Sequence, residues 1–268
     1  MMKKSAIVVG ATGLVGQQLL KKLCEDGRYI SVTAIGRNVS VYQHEKLQSV
    51  FRSFEQISEA DLEIVDEVFC CLGTTIKKAK SREQFEKVDF EYPMRIASLA
   101  KKVGIPHFLV ISAMGANEKS AAYYSRVKGK LEIELEKLAF PRLSIIRPSL
   151  LLGDRTEFRL GERAGAMVLT FLNPLLVGPL SKVRAISAEQ VGEAMVAIAL
   201  MENKKGIAIY SSNELQTLKI PPVPVVQEET IDREATFNWQ KKEEIDVVDD
   251  EVVFDRSKIK TVDDEEIR

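Results

Sequence analysis

Over most of the chain, short continuous apolar runs alternate with stretches of helical periodicity. Ala6–Val9 is an unbroken apolar run of strand length. It is followed by Leu14–Leu23, where leucines recur at the spacing of one helix face. The same alternation predicts strands at Val32–Ile35, Val50–Phe54, Val68–Leu72, His107–Ser112, Arg142–Arg147 and Ile207–Tyr210. It predicts helices at Arg82–Val103, Ala121–Leu138 and Ala188–Met201. Strands that alternate with helices favour an α/β fold with a parallel sheet covered on both faces. Runs such as "EVFCCLG" and "HFLVIS" are apolar throughout rather than at every second position, as burial on both sides requires.

The texture changes at Pro221. "IPPVPVVQEE" has three prolines in a short span and reads as a linker. From Pro221 to Arg268 there are 15 acidic and 7 basic residues, whereas the remainder has 24 acidic and 31 basic. The formal net charge of −1 therefore conceals a basic body with an acidic tail. Residues 221–268 are expected to form a solvated extension, or to fold back or reach a second copy or another protein. The runs "IDVV" and "EVVF" could pair there as a hairpin, and the single tryptophan, Trp239, lies in the same segment.

The near-neutral total argues against a dedicated nucleic-acid binder. The longest apolar block, Ala164–Gly178, falls short of the roughly 20 residues that span a bilayer and is interrupted by Asn173-Pro174. Without a secretory leader pattern, the expectation is a cytoplasmic protein. The three cysteines, Cys24, Cys70 and Cys71, lack metal-ligand spacing and read as core thiols; no metal site is expected.

Candidate chemistry begins at "IVVGATGLVGQQLL". Gly10, Gly13 and Gly16 leave a strand and open a helix, the context in which spaced glycines cradle a dinucleotide. The first allows a tight turn, the second a close approach to pyrophosphate, and the third close packing of helix on sheet. Amides at the helix start then face the anion. An NAD-preferring site places a carboxylate at the end of the second strand, about 20 residues on, to hold the ribose 2′-hydroxyl. This chain has "IGRN" there, with Arg37 21 positions after Gly16. A guanidinium suits a 2′-phosphate, so NADP(H) is expected in preference to NAD(H).

A second constellation lies in "AAYYSRVKGKLEIELEKL". Tyr124 and Lys128 are four apart and share one helix face. Tyr123 is about 140° round the helix from Lys128 and is the poorer partner. A phenol near an ammonium ionises more readily and can trade a proton nearer neutral pH. The preceding strand ends in Ser112, twelve residues before Tyr124, at the mouth of the sheet where ligands bind. Its hydroxyl is placed to orient a substrate oxygen. Glycine turn, serine and tyrosine–lysine helix follow in the order that hydride transfer to or from a small molecule needs.

The motifs "GATGLVG", "IGR", "CCLGTT", "FLVISAMGAN", "YYSRVKGKLE" and "FPRLSIIRPSLLLGDR", with "ISAEQVGEAM" further on, resemble the atypical short-chain dehydrogenase/reductase family, in its Tat-interacting-protein (TIP30-like) oxidoreductase group. The likeness runs from Ile7 to about Arg155 and weakly to about residue 215. It implies a Rossmann-type, doubly wound parallel sheet with a small C-terminal substrate cap, within a domain of residues 1–220. It implies that Gly10, Thr12, Gly13, Leu14 and Val15 line the pyrophosphate and that Arg37 meets the 2′-phosphate. Leu72, Gly73 and Thr74 would border the adenine side and ribose, and Pro148 and Ser149 the nicotinamide. Ser112, Tyr124 and Lys128 match the catalytic positions, with Lys128 also on the nicotinamide ribose. The family often has two serines where this chain has Ser112-Ala113. The cap is expected at about residues 153–187, where Arg155, Arg159, Arg163 and Arg184 stand among apolar residues. The substrate itself is not identified. The implied activity is reduction of a carbonyl or oxidation of an alcohol; the alternative is a protein that binds NADP(H) for regulation or assembly without turnover.

Overall fold

A computed structural model describes residues 3–38, 42–62, 65–152, 184–201 and 205–223. The proposed tail, its hairpin and Trp239 lie outside these residues, apart from 221–223. So do all but the last four residues of the cap segment, including Arg155, Arg159, Arg163 and the Ala164–Gly178 block.

Seven parallel strands form one sheet: β1 (Lys4–Val9), β2 (Tyr29–Gly36), β3 (Leu47–Phe51), β4 (Glu67–Cys70), β5 (His107–Ile111), β6 (Arg142–Arg147) and, late in the chain, β9 (Gly206–Ser211). Their spatial order is β3-β2-β1-β4-β5-β6-β9. The chain reverses direction of travel across the sheet between β1 and β4, the switch point at which open α/β sheets bind ligands. A separate two-stranded parallel ladder joins β7 (Leu151–Leu152) to β8 (Ile186–Ser187).

Alternation along β1 builds two cores. Ala6 and Val8 face α1 (Leu14–Glu25) and the late helix Ala188–Ala199; Ile7 and Val9 face the helices between β4 and β6. In the central strands β1, β4, β5 and β6 most residues are buried whichever way they point, which is why these strands read as continuous apolar runs. The helix Ala188–Ala199 crosses α1 closely at Gly192, where a Cβ would stand 2.9 Å from the Leu19 amide nitrogen.

Two expected elements change. The expected strand Val50–Phe54 is β3, three residues earlier. Phe54 is buried, but in the turn after the strand, whereas Phe51 on this edge strand is 65% exposed. Hydropathy therefore drew the expected element toward Phe54. The single helix expected over Arg82–Val103 is three segments: α3 (Arg82–Glu86), after a one-turn α2 (Ile76–Ala79), then a π-helical turn Lys87–Glu91, then α4 (Tyr92–Lys102). Pro93 explains the break. It has no N–H to give the Asp89 carbonyl, and its ring crowds that carbonyl. The Tyr92 amide instead donates to the Lys87 carbonyl, five residues back. After β5 comes α5 (Tyr123–Lys137); the helix Ala188–Ala199 is α6, and a short α7 (Ser212–Thr217) closes the described body. Among the described residues no helix is long and apolar enough to cross a membrane.

Candidate coenzyme and proton-transfer site

The glycine turn sits at the carboxyl end of β1, against the exit of β4. Gly10 has φ +84°, and a Cβ on it would lie 2.8 Å from the carbonyl carbon and oxygen of Cys71. A Cβ on Gly16 would meet the Gly10 oxygen at 2.2 Å. Both positions therefore accept only glycine. Gly13 caps α1 without any side-chain hydrogen bond, and the first turn contains no acidic residue. Thr12 and Gly13 are exposed, Leu14 is half-buried, and Val15 is buried beneath them. The first amides of α1 lack intrahelical acceptors and point out of the turn. This arrangement fits a pyrophosphate, with donors and helix dipole both favouring an anion.

Arg37 follows the end of β2. It is exposed, and its guanidinium lies over the Phe54 ring, 5.5 Å from the centroid. Among the described residues no ion pair engages it. Leu72 is buried, so only its backbone can face a ligand, while Gly73 is exposed and Thr74 half-buried.

Tyr124 and Lys128 stand on one face of α5, as their spacing predicts. Tyr124 is exposed at 37%, with its ring 5.7 Å from that of Phe85. Its neighbour Tyr123 is tied down: its hydroxyl donates to the Arg82 carbonyl at 3.2 Å, and the Arg82 and Arg126 guanidinium groups lie over its ring. Packing thus separates the two tyrosines as the helical angle does. The loop before α5 packs closely on the helix at Gly129, where a Cβ would lie 2.2 Å from the Glu118 amide nitrogen.

Lys128 is 2% exposed. Its Nζ donates to the Ile111 carbonyl at 3.3 Å and lies 2.8 Å from Oδ1 of Asp89, which is itself 1% exposed. That contact is a buried ion pair, whose charge and hydrogen bond both favour the ammonium. The other oxygen of Asp89 accepts the Thr74 amide at 2.8 Å. Burial pulls the lysine's pKa down, but Asp89 first and then Tyr124 push it up further, and the net direction is upward. Lys128 therefore stays an ammonium. Asp89 was missed in the sequence because a carboxylate in a long helix reads as solvated; the available signal was Pro93, four residues on.

Ser112 is placed differently from the expectation that it orients substrate. It is 2% exposed, and its hydroxyl donates inward to Glu132, whose carboxylate also receives Nε of Arg147 at 3.0 Å. These three tie the ends of β5 and β6 to the body of α5 beneath the cleft. Ala113, next in the chain, is also buried. Pro148 is buried and its carbonyl accepts the Met114 amide at 2.9 Å. The Ser149 hydroxyl donates to the Arg184 carbonyl and accepts from Ser212 at 2.8 Å, so that residue offers backbone rather than hydroxyl. The cysteines are core thiols: burial raises Cys24 and Cys70 to about 11. Among the described residues no cluster of three or more potential ligands could hold a metal.

A parallel sheet with this switch point, a glycine turn at the first helix and a Tyr–Lys helix beside it define an NAD(P)H-binding Rossmann protein of short-chain dehydrogenase/reductase type. A family model described as NAD(P)H-binding matches residues 10–165, and the chain belongs to that family, in its TIP30-like atypical short-chain dehydrogenase/reductase group. The chain is 36% identical to Protein HTATIP2 of Rattus norvegicus over 214 residues, 76% of this chain and 88% of that protein. It is 32% identical over 223 residues to Protein FMP52-1, mitochondrial, of Scheffersomyces stipitis, 80% of this chain and 98% of that protein. Among solved structures, MoeE5 in complex with UDP-glucose and NAD superposes with TM-score 0.58 at 15% identity over 79% of each chain, a likeness of fold.

The expected cytoplasmic location is corrected by these relatives. FMP52 proteins of Debaryomyces hansenii, Scheffersomyces stipitis and Eremothecium gossypii are named mitochondrial. The expectation rested on the lack of a secretory or membrane-spanning pattern, and neither pattern bears on entry into mitochondria.

Proposed function

We propose that this protein is an NADP(H)-dependent oxidoreductase that interconverts a carbonyl and an alcohol on a small molecule. The observation that carries the reading is a buried, charged Lys128 on the same helix face as the exposed phenol of Tyr124. A bound nicotinamide would supply or accept the hydride. Tyr124 gives its phenolic proton to the substrate oxygen in reduction and takes it back in oxidation. Lys128 stabilises the phenolate formed on the way. Thr12, Gly13, Leu14 and Val15, around the Gly10 turn, would hold the pyrophosphate, and Arg37 the 2′-phosphate. Support for NADP(H) over NAD(H) is the exposed guanidinium, with no carboxylate beside it in "IGRN". Leu72, Gly73, Thr74, Pro148 and Ser149 would border the coenzyme through backbone atoms. Ser112 acts indirectly, bracing the site through Glu132 and Arg147.

The test is NADPH consumption over a panel of aldehydes and ketones, repeated with Tyr124→Phe. Loss of general acid–base help predicts a fall of roughly 10²–10⁴-fold. Equal rates in the variant overturn the role of Tyr124. A second reading, coenzyme binding for regulation or assembly without turnover, is favoured by the inward-turned Ser112 hydroxyl and by Ala113. Tight NADPH binding with no turnover on any carbonyl selects it. The acidic segment 221–268 is proposed to serve a second copy or a partner protein, so its removal changes the oligomeric state and leaves coenzyme affinity intact. For location, the naming of the FMP52 relatives makes mitochondria the compartment to test by fractionation.

A further inference from the structure

We propose that Asp89 is a positioning residue of this site, its buried carboxylate holding the Lys128 ammonium with one oxygen and the Thr74 amide with the other. The catalytic lysine and the loop expected to border the coenzyme then depend on one side chain. The inference rests on the reading of Tyr124 and Lys128 as a proton-transfer pair.

The geometry begins with Pro93. By removing the helical hydrogen bond to the Asp89 carbonyl, it leaves a π-helical turn over Lys87–Glu91. Asp89 lies within that turn and points inward, 1% exposed, onto α5. Lys128 meets three elements there: Asp89 from the π turn, the Ile111 carbonyl from β5, and β4, where Cys70 is its titratable neighbour. On α5 itself it faces Tyr124. With the Cys70 thiol neutral at physiological pH, Asp89 is the carboxylate that compensates the lysine. A buried ammonium deprived of its counter-ion gives up its proton. Lys128 then no longer favours the phenolate of Tyr124. The pair is also screened from the cleft by no side chain at position 73: a Cβ on Gly73 would be 3.5 Å from Asp89 Oδ1 and 4.0 Å from Lys128 Nζ.

The experiment uses the full chain as wild type, Asp89→Asn and Lys128→Met, with thermal unfolding followed from pH 5 to pH 10. In the wild type the folded lysine value lies above the unfolded one, so the stability from the pair is complete throughout this range and would be lost only above it. In Asp89→Asn the order reverses, and stability rises with pH as the stranded amine loses its proton. The expected result is a deficit against wild type that is largest near pH 7 and shrinks toward pH 10. Lys128→Met mirrors it: its stranded carboxylate makes the deficit shrink toward pH 5. Should Asp89→Asn fail to fold, the mirror decides. A deficit constant with pH in the variants that fold overturns the proposal. Where turnover is found, the rising limb of the pH–kcat profile for alcohol oxidation should move up by a pH unit or more in Asp89→Asn, whereas a merely structural role lowers kcat evenly. No turnover in any form refutes the proposed activity and leaves the unfolding result to judge Asp89.

Discussion

Two clusters of buried charge stand at opposite ends of strands β4 and β5, and they differ in what covers them. At the amino ends, Glu67 accepts Lys4 at 2.8 Å and the Tyr29 hydroxyl at 2.7 Å, and lies 3.3 Å from Nδ1 of His107. His107 in turn reaches the Ser144 hydroxyl at 3.0 Å. Glu67 and His107 are register partners, so the sheet itself brings them together. At the carboxyl ends, Asp89 pairs with Lys128 through Oδ1 and accepts the Thr74 amide through Oδ2, and the residue beside the pair is an exposed glycine. Buried charge alone thus does not mark a site. One cluster joins strands under a closed surface; the other lies behind a missing side chain, where a ligand could approach.

The sharpest break between the two ends is expected from Glu67→Ala. It strands Tyr29 and His107 in the core and leaves the half-buried Lys4 without its carboxylate, and removing one partner of a buried charged network costs about 3–5 kcal/mol. Urea unfolding should show that loss, while NADPH affinity measured on the folded fraction stays at the wild-type value. A normal midpoint would mean that the amino-end cluster does not brace the sheet. Next in size is Arg37→Ala. A lost charged hydrogen bond of roughly 1.5–3 kcal/mol corresponds to about a 10–100-fold weaker NADPH complex. NADH affinity should not change, and parallel losses for both coenzymes would remove Arg37 from the 2′-phosphate.

The two ends also differ in how legible they are in the sequence. The glycine turn and the strands around it stand out because only glycine tolerates the Gly10 and Gly16 contacts and because doubly buried strands are apolar throughout. Tyr124 and Lys128 are visible as an i, i+4 pair. Asp89 and Glu132 are hidden, since most polar residues of their helices face solvent, and their burial is decided by Lys128 and Arg147 on other elements. The inward turn of Ser112 is equally hidden: position at a strand end does not say which way a hydroxyl rotates when a carboxylate lies within reach. Helical periodicity carried the expected long helix straight through Pro93, although the proline itself was the sign of the break.

A smaller effect comes from Gly73→Val. The position has open backbone geometry, and the nearest contacts to a Cβ are of ordinary van der Waals length. Stability should move by no more than about 0.5 kcal/mol, as for other exposed positions. A branched side chain over the Asp89–Lys128 pair should nonetheless weaken NADPH binding by about tenfold, near 1.4 kcal/mol. If affinity is unchanged, the gap at Gly73 is not the approach to the lysine, and the contrast with the closed amino end loses its functional meaning.

The smallest effect expected is an acid-side slope from the amino-end cluster. Burial lowers the pKa of His107 against the pull of Glu67, so the folded state resists a proton that the unfolded chain takes up near 6.5. Stability should therefore decline as pH falls below that value, by at most about 1.4 kcal/mol per unit. For Glu67, burial raises the pKa, but the hydrogen bonds from His107, Lys4 and Tyr29 outweigh it and the net shift is downward. Its contribution is present above about 4.5 and is lost as pH falls through its lower folded value. The two groups act in sequence, histidine first. His107→Gln keeps a donor for Glu67 and an acceptor for Ser144 but does not titrate, so the unfolding midpoint should flatten between pH 6.5 and 5 and keep its fall below 4.5. An unflattened slope in that variant would place the acid sensitivity elsewhere in the molecule and leave the amino-end cluster a purely steric brace.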